Sequence, residues 1–139
     1  TEGGLDIISN LVRSRDAVKA FTDAGIPTSM FIDPDEKQLE ASAEIGSPWV
    51  ELHTGSFARA WYDESKRVAE LDTLRNGMNF GISLGLRVNA GHGINYDNVE
   101  GAKQLEQVYE FNIGHSIISR SITHGLAEAV QTMRSRLND

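Results

Sequence analysis

The stretch LGLRVNAGHG, residues 84–93, ends a helical pattern at Gly85, continues as a short apolar strand and closes on a Gly-His-Gly turn. The same order of helix, glycine and apolar strand recurs at Gly25 and at Gly46. Glycine ends a helix readily because it adopts left-handed backbone angles without strain. Three such joints in series predict alternating helices and strands, and short apolar strands of this kind are typical of a parallel sheet buried on both faces.

The pattern around these joints predicts four strands and the helices between them. We expect strands over about residues 28–32, 49–55, 86–90 and 109–113. We expect helices over about residues 11–24, 36–45, 65–84 and 126–137. The second helix follows an Asp-Pro-Asp turn that can cap it. This α/β pattern suits either an open doubly wound sheet or part of a TIM (β/α)₈ barrel.

The composition excludes several classes of protein. The 139 residues carry 13 Lys and Arg against 20 Asp and Glu, a net charge of −7. This acidic balance argues against sequence-independent nucleic-acid binding, which needs clustered basic residues. The apolar runs fall far short of the roughly 20 residues of a membrane span. Without cysteine there is no thiol nucleophile, and without a signal-like segment we expect a cytoplasmic protein.

Histidines and polar residues gather near the ends of three predicted strands. Glu51 and His53 belong to the second strand, His92 follows the third and His115 follows the fourth. Ligand sites of parallel α/β proteins lie at the carboxyl ends of the strands. We therefore expect these three histidines on one face. His124 falls in the last helical region, where we expect a structural or exposed side chain.

The residue types at this face suit proton transfer and phosphate binding. His92 stands between two glycines, so that free backbone amides lie beside an imidazole. If residues 117–118 are helical, the amides of Gly114 and His115 lie at a helix N-terminus, which favours a phosphate. Glu51 in an apolar strand needs a polar partner. We predict a small phosphorylated substrate and no metal, because the histidines lack the close spacing typical of ligands.

Five segments, in order, resemble the pyridoxine 5′-phosphate synthase family. They are TEGGLD (1–6), FID (31–33), ELHTG (51–55), VNAGHG (88–93) and NIGHSII (112–118). The resemblance extends over essentially the whole chain. It implies that residues 1–139 are the C-terminal half of a single (β/α)₈ barrel domain, strands five to eight, with the N-terminal strands absent.

The resemblance also implies an activity and the residues that carry it. Family members condense 1-deoxy-D-xylulose 5-phosphate with 3-amino-2-oxopropyl phosphate to give pyridoxine 5′-phosphate, phosphate and water in vitamin B6 biosynthesis. By motif, His92 matches the proton donor and Glu51 a carboxylate that stabilises charged intermediates. Gly93, Gly114 and His115 match substrate-binding positions. We expect no cofactor, no nucleic-acid or membrane partner, and a homo-oligomer, since an octamer is typical of the family.

Two further expectations concern the extent of the chain and its rivals. The chain begins at Thr1 in a glycine-containing stretch, and we expect it to be part of a longer enzyme. The family's bases lie on the absent strands, so we expect this chain alone to be inactive. The alternatives are a sugar-phosphate aldolase or epimerase and a non-catalytic half-barrel module. A Schiff-base aldolase is disfavoured because no lysine falls in a predicted strand; the lysines are Lys19, Lys37, Lys66 and Lys103.

Overall fold

A computed structural model describes residues 3–138. The first two residues of the TEGGLD segment, Thr1 and Glu2, lie outside the described residues, as does Asp139. The described part forms a four-stranded parallel sheet in which the strands stand in chain order. The strands are β1 (Ser29–Ile32), β2 (Trp49–His53), β3 (Arg87–Gly91) and β4 (Phe111–Asn112).

Helices connect the strands and follow the last one. The longer helices are α1 (Leu11–Asp23), α2 (Glu36–Glu44), α4 (Glu64–Ser83), α6 (His115–His124) and α7 (Leu126–Asn138). Two short helices, α3 (Gly55–Arg59) and α5 (Val99–Ala102), lie in the connections after β2 and β3. Helix, strand and helix therefore alternate along the chain, and the prediction of an α/β fold with a parallel sheet is confirmed.

The ends of the elements follow local chemistry. Gly25, Gly46 and Gly85 all have positive φ angles just after a helix, as the sequence predicts. The Asp35 side chain accepts hydrogen bonds from the backbone N–H groups of Lys37 and Gln38, and so caps α2. β4 is shorter than expected, and neither α3 nor α5 was predicted, because each is too short to show a helical repeat.

The core lies between the sheet and the helices that cover it. Close approach of α4 to β3 depends on Gly81, where a β-carbon would lie 3.0 Å from Val88 Cγ2 and 3.1 Å from Leu39 Cδ2. The largest fully buried apolar side chains are Phe57, Ile7, Ile32, Leu39, Leu52, Leu105, Met133, Val50, Val88 and Val99.

The two outer strands are less buried than the two central ones. β3 is buried at every position except Arg87, whereas β1 begins with an exposed Ser29 and β4 ends with an exposed Asn112. The prediction that every strand is buried on both faces is therefore wrong for the outer strands, each of which has a neighbouring strand on one side only. Of the helices described, none combines the length and apolarity needed to span a bilayer.

Candidate active site

The carboxyl ends of the four strands enclose one side of an open cavity of about 680 Å³. Its lining joins residues from β1, β2, β4, the loop after β3 and the start of α6. All five predicted site residues line this cavity; they are His92, Glu51, Gly93, Gly114 and His115. The lining consists of Phe31, Glu51, His92, Gly93, Ile94, Asn95, Asn112, Ile113, Gly114, His115 and Ser116.

Glu51 reaches the cavity from the middle of β2 and has a polar partner, as the sequence predicts. Asn112 Nδ2 donates a hydrogen bond of 2.7 Å to Glu51 Oε2. The other oxygen lies against the β3 backbone, where a β-carbon on Gly91 would be 2.2 Å from Glu51 Oε1. Partial burial raises the pKa of Glu51 above its usual value, the hydrogen bond from Asn112 opposes this, and the charge of Glu110 adds to it. The carboxylate is thus held in a defined position facing the cavity.

His92 has an unusual backbone conformation. Its φ angle is +82°, and within the described residues no other non-glycine residue has a positive φ. Such a conformation is strained for a residue with a β-carbon, and strain of this kind is concentrated at functional sites. The turn is held from one side by Thr54, whose buried hydroxyl lies 2.8 Å from Gly91 O and 2.5 Å from His92 O. On the other side, Asn98 Nδ2 donates to Gly93 O at 3.0 Å.

The His92 ring lies among other rings and charges. Its centroid is 4.7 Å from that of His53 and 6.4 Å from that of Phe31. Partial burial lowers the pKa of His92 below its usual value, and positive charge on His53, Arg59 and His115 acts in the same direction. Without a nearby anion, this environment favours the neutral imidazole near pH 7.

The amino end of α6 faces the same cavity. Gly114 is the N-cap residue and His115 the first residue of this ten-residue helix. The helix predicted conditionally for residues 117–118 is therefore present. The first N–H groups of a helix have no acceptor within it, and their dipoles attract anions. Ser116 is tied to the loop after β3, since its hydroxyl donates to Ile94 O at 2.9 Å.

Glu51 and His53 lie inside β2 and Asn89 lies inside β3, within the strands predicted over about residues 49–55 and 86–90. His124 is exposed at the end of α6, as expected. The supporting residues Thr54, Asn98 and Asp33 were missed as a set because Thr, Asn and Asp are also ordinary turn residues.

The described residues contain no lysine in a strand or in the cavity lining. The four lysines lie on helices or, for Lys103, directly after α5. This arrangement gives no support to a Schiff-base aldolase. Within the same residues, no group of three His, Asp or Glu side chains is close enough together to hold a metal ion.

A parallel sheet with a polar cavity at the carboxyl ends of its strands defines a ligand-binding α/β protein of the kind that includes many phosphate-binding enzymes. The family model described as "Pyridoxal phosphate biosynthesis protein PdxJ" matches residues 1–139. The chain belongs to this family.

Curated relatives agree with that assignment. A protein of Opitutus terrae named pyridoxine 5′-phosphate synthase is 49% identical over 138 residues, which cover 99% of this chain and 56% of that protein. Proteins of the same name from Pseudoalteromonas translucida and Trichodesmium erythraeum are each 48% identical, over 96% and 99% of this chain and over 55% and 57% of their own lengths. The chain thus spans about half the length of the curated relatives it matches.

Proposed function

We propose that this chain supplies the proton donor, a charge-stabilising carboxylate and a phosphate site to a pyridoxine 5′-phosphate synthase. The reaction would join 1-deoxy-D-xylulose 5-phosphate to 3-amino-2-oxopropyl phosphate, giving pyridoxine 5′-phosphate, phosphate and water. One observation carries the proposal: the strained turn after β3 brings His92 into the same cavity as Glu51 and the amino end of α6. The names of the relatives support the same reaction.

In this proposal the four strands are the second half of a (β/α)₈ barrel. The chain order of the parallel strands and the helices between them fit that architecture. The backbone N–H of Leu5 donates to Phe31 O at 2.7 Å, so the segment before α1 runs beside the outer edge of β1. In a barrel this edge is the position of the preceding strand. Residues 1–139 would then form one portion of a single domain.

The proposed roles follow from position and charge. Gly93, Gly114 and His115 contact the phosphate, because all three line the cavity and the free N–H groups at the start of α6 attract an anion. The negative charge of the bound phosphate raises the pKa of His92 and so favours its imidazolium form. His92 becomes an effective proton donor once substrate is bound. Glu51, across the cavity, stabilises positive charge that develops on the condensing intermediates.

Replacement of His92 by asparagine in the full-length protein tests this function. Asparagine tolerates positive φ better than most residues but cannot act as a proton donor of comparable acidity. We expect kcat to fall about 10²- to 10⁴-fold with little change in KM, as is typical for loss of a general acid. Product is measured as pyridoxine 5′-phosphate from both substrates, and His124→Asn is the matched control. Absence of product from the unaltered protein would contradict the proposed reaction.

Two expectations stay predictions. One is the homo-oligomeric assembly of the full-length protein, which follows from the family resemblance, and the other is its cytoplasmic location. Exposed apolar side chains on the last two helices are compatible with a subunit contact; they are Ile118, Ile122, Leu126 and Val130.

A further inference from the structure

We propose that Asp33 and His53 form a positioning pair that holds the His92 imidazole in its working orientation. The proposal rests on the proposed function of His92 as a proton donor. It assigns a role to two residues that do not line the cavity in which the substrates would bind. Asp33 follows β1, His53 ends β2 and His92 follows β3, so the three side chains stand in a row across the carboxyl ends of neighbouring strands.

The first contact in this row fixes the protonation of one nitrogen. His53 Nδ1 lies 2.9 Å from Asp33 Oδ1. An ionised carboxylate only accepts hydrogen bonds, so it holds the proton on His53 Nδ1. The carboxylate is itself oriented by the backbone N–H of Gly4, which donates to the same oxygen at 3.3 Å. Asp33 remains half exposed, with 55% of its side chain accessible, whereas only 3% of the His53 side chain is.

The second contact is between the His53 and His92 rings, and it orients the His92 ring. The His53 ring meets Phe31 edge to face, with centroids 5.3 Å apart and an angle of 83° between the planes. Its other neighbour is the His92 ring, whose centroid is 4.7 Å away. His92 itself is exposed. The His53 ring is held by Asp33 and Phe31, so packing against it restricts the rotation of the His92 imidazole. Such restriction preserves the orientation that proton transfer requires.

The far nitrogen of His53 separates this ring from an ordinary core histidine. His53 Nε2 is buried, and no partner for it occurs among the described residues. The ring is tightly confined, because a β-carbon on Gly55 would lie 2.6 Å from Nε2. A buried polar atom without a partner is unfavourable and is concentrated at functional sites. Since Asp33 holds a proton on Nδ1, Nε2 presents a lone pair whenever His53 is neutral.

Few charged groups face His92, so the effect of the His53 ring on the titration of His92 is measurable. The titratable groups that face it are His53 from β2, Arg59 from α3 and His115 from α6, with Glu51 across the cavity. Positive charge on a second imidazole at this distance disfavours the imidazolium form of His92 and so lowers the pKa of His92. Removal of the His53 ring therefore changes both the orientation and the titration of His92.

The experiment uses three variants of the full-length protein labelled with ¹⁵N-histidine. Asp33→Asn keeps the shape of the side chain and removes its charge. His53→Asn keeps a donor to Asp33 in the place of Nδ1 and removes the ring. The third variant combines the two substitutions, and His124→Asn is the matched control on an exposed histidine. Imidazole ¹⁵N spectra are recorded across pH, and kcat and KM are measured in parallel.

We expect Asp33→Asn to populate the Nε2–H tautomer of His53, and His53→Asn to raise the titration midpoint of His92. We expect each single variant to lower kcat about ten- to a hundred-fold with KM nearly unchanged, as for loss of orientation. The double variant should be no slower than His53→Asn, since the two residues act as a unit.

The two readouts separate this inference from the proposed function. A His92 midpoint and kcat in His53→Asn equal to those of the His124→Asn control would overturn the pairing. If His53→Asn does not fold, the tautomer and kcat of Asp33→Asn decide, since Asp33 is half exposed. An unaltered tautomer and kcat in that variant would likewise overturn it. If the expected spectral changes occur in a protein without synthase activity, the pair positions His92 but the proposed reaction is wrong.

Discussion

At the scale of single residues, the site depends on a contact that only glycine permits. Gly91 ends β3 directly beneath the Glu51 carboxylate, and Gly91 O also accepts the hydrogen bond from the Thr54 backbone N–H at 2.8 Å. The missing side chain lets the carboxylate lie against the strand while Asn112 holds its other oxygen. The position of Glu51 is thus determined by three neighbouring strands and not by its own strand alone.

Gly91→Ala tests this contact in the full-length protein. The added β-carbon would lie 2.2 Å from Glu51 Oε1 and 2.9 Å from Asn112 O, so the carboxylate and β4 must both move. We expect a loss of unfolding free energy of about 1–3 kcal/mol from overpacking. We also expect kcat to fall on the order of a hundred-fold from misplacement. Denaturant unfolding and steady-state kinetics measure the two effects.

Gly3→Ala is the matched control for that substitution, because a β-carbon there would meet only Asp33 Oδ2, at an ordinary 3.6 Å. Unchanged kcat and stability in Gly91→Ala would show that Glu51 is not held by this contact.

Residue identity was easier to predict than residue geometry. The predicted site residues His92, Glu51 and His115 share one cavity because parallel strands bring their carboxyl ends to one edge. The positive φ of His92 and the hydroxyl of Thr54 above β3 could not be predicted, since both depend on contacts between residues far apart in sequence. Turn residues have the same composition whether or not they support a site.

At the scale of elements, the amino end of α6 is the feature that favours the anion site proposed for this cavity. Gly114 caps this helix, and His115 and Ser116 form its first turn. The helix dipole and the first N–H groups attract negative charge, and the imidazole of His115 adds to this when protonated. This helix was predicted only conditionally, from the apolar pair Ile117-Ile118 that follows Ser116. α3 and α5 were not, because four or five residues show no helical repeat.

Binding of inorganic phosphate at this helix end should raise the pKa of His92. Burial and the positive charge of His53 lower that pKa, so the neutral ring dominates near pH 7 without an anion. A phosphate dianion nearby favours the imidazolium, and the titration midpoint moves to higher pH. Histidine ¹⁵N spectra of the full-length protein, recorded across pH with phosphate or with chloride at equal ionic strength, measure the midpoint.

In amide spectra of the uniformly ¹⁵N-labelled protein we expect shifts of Gly93, Gly114 and His115 in phosphate. In the histidine spectra we expect no change in the midpoint of His124, which lies at the opposite end of α6. Equal His92 midpoints in phosphate and chloride would argue against an anion site at this helix.

At the scale of the whole molecule, the sheet within residues 3–138 has two outer edges, one at β1 and one at β4. β4 is a two-residue strand paired only with β3, and the outer edge of β1 receives a hydrogen bond from Leu5. Apolar side chains of β4 and α7 line a groove beside β4, among them Phe111, Met133 and Leu137. Open edges and apolar grooves favour association with further strands. The alternating pattern predicted the sheet and its direction, but it suits an open sheet and part of a barrel equally.

Synthase activity should therefore be absent from the 139-residue polypeptide when it is purified alone. The chain matches only about 56% of the length of its Opitutus terrae relative, and the family resemblance assigns the bases of the reaction to the preceding strands. Without those groups, His92 and Glu51 face a cavity that is enclosed on one side. We expect no pyridoxine 5′-phosphate from the two substrates and a tendency to self-associate through the open edges. Product analysis and size-exclusion chromatography measure both, with the Opitutus terrae protein as the control. Turnover by the isolated 139 residues would mean that these four strands contain every group the reaction needs.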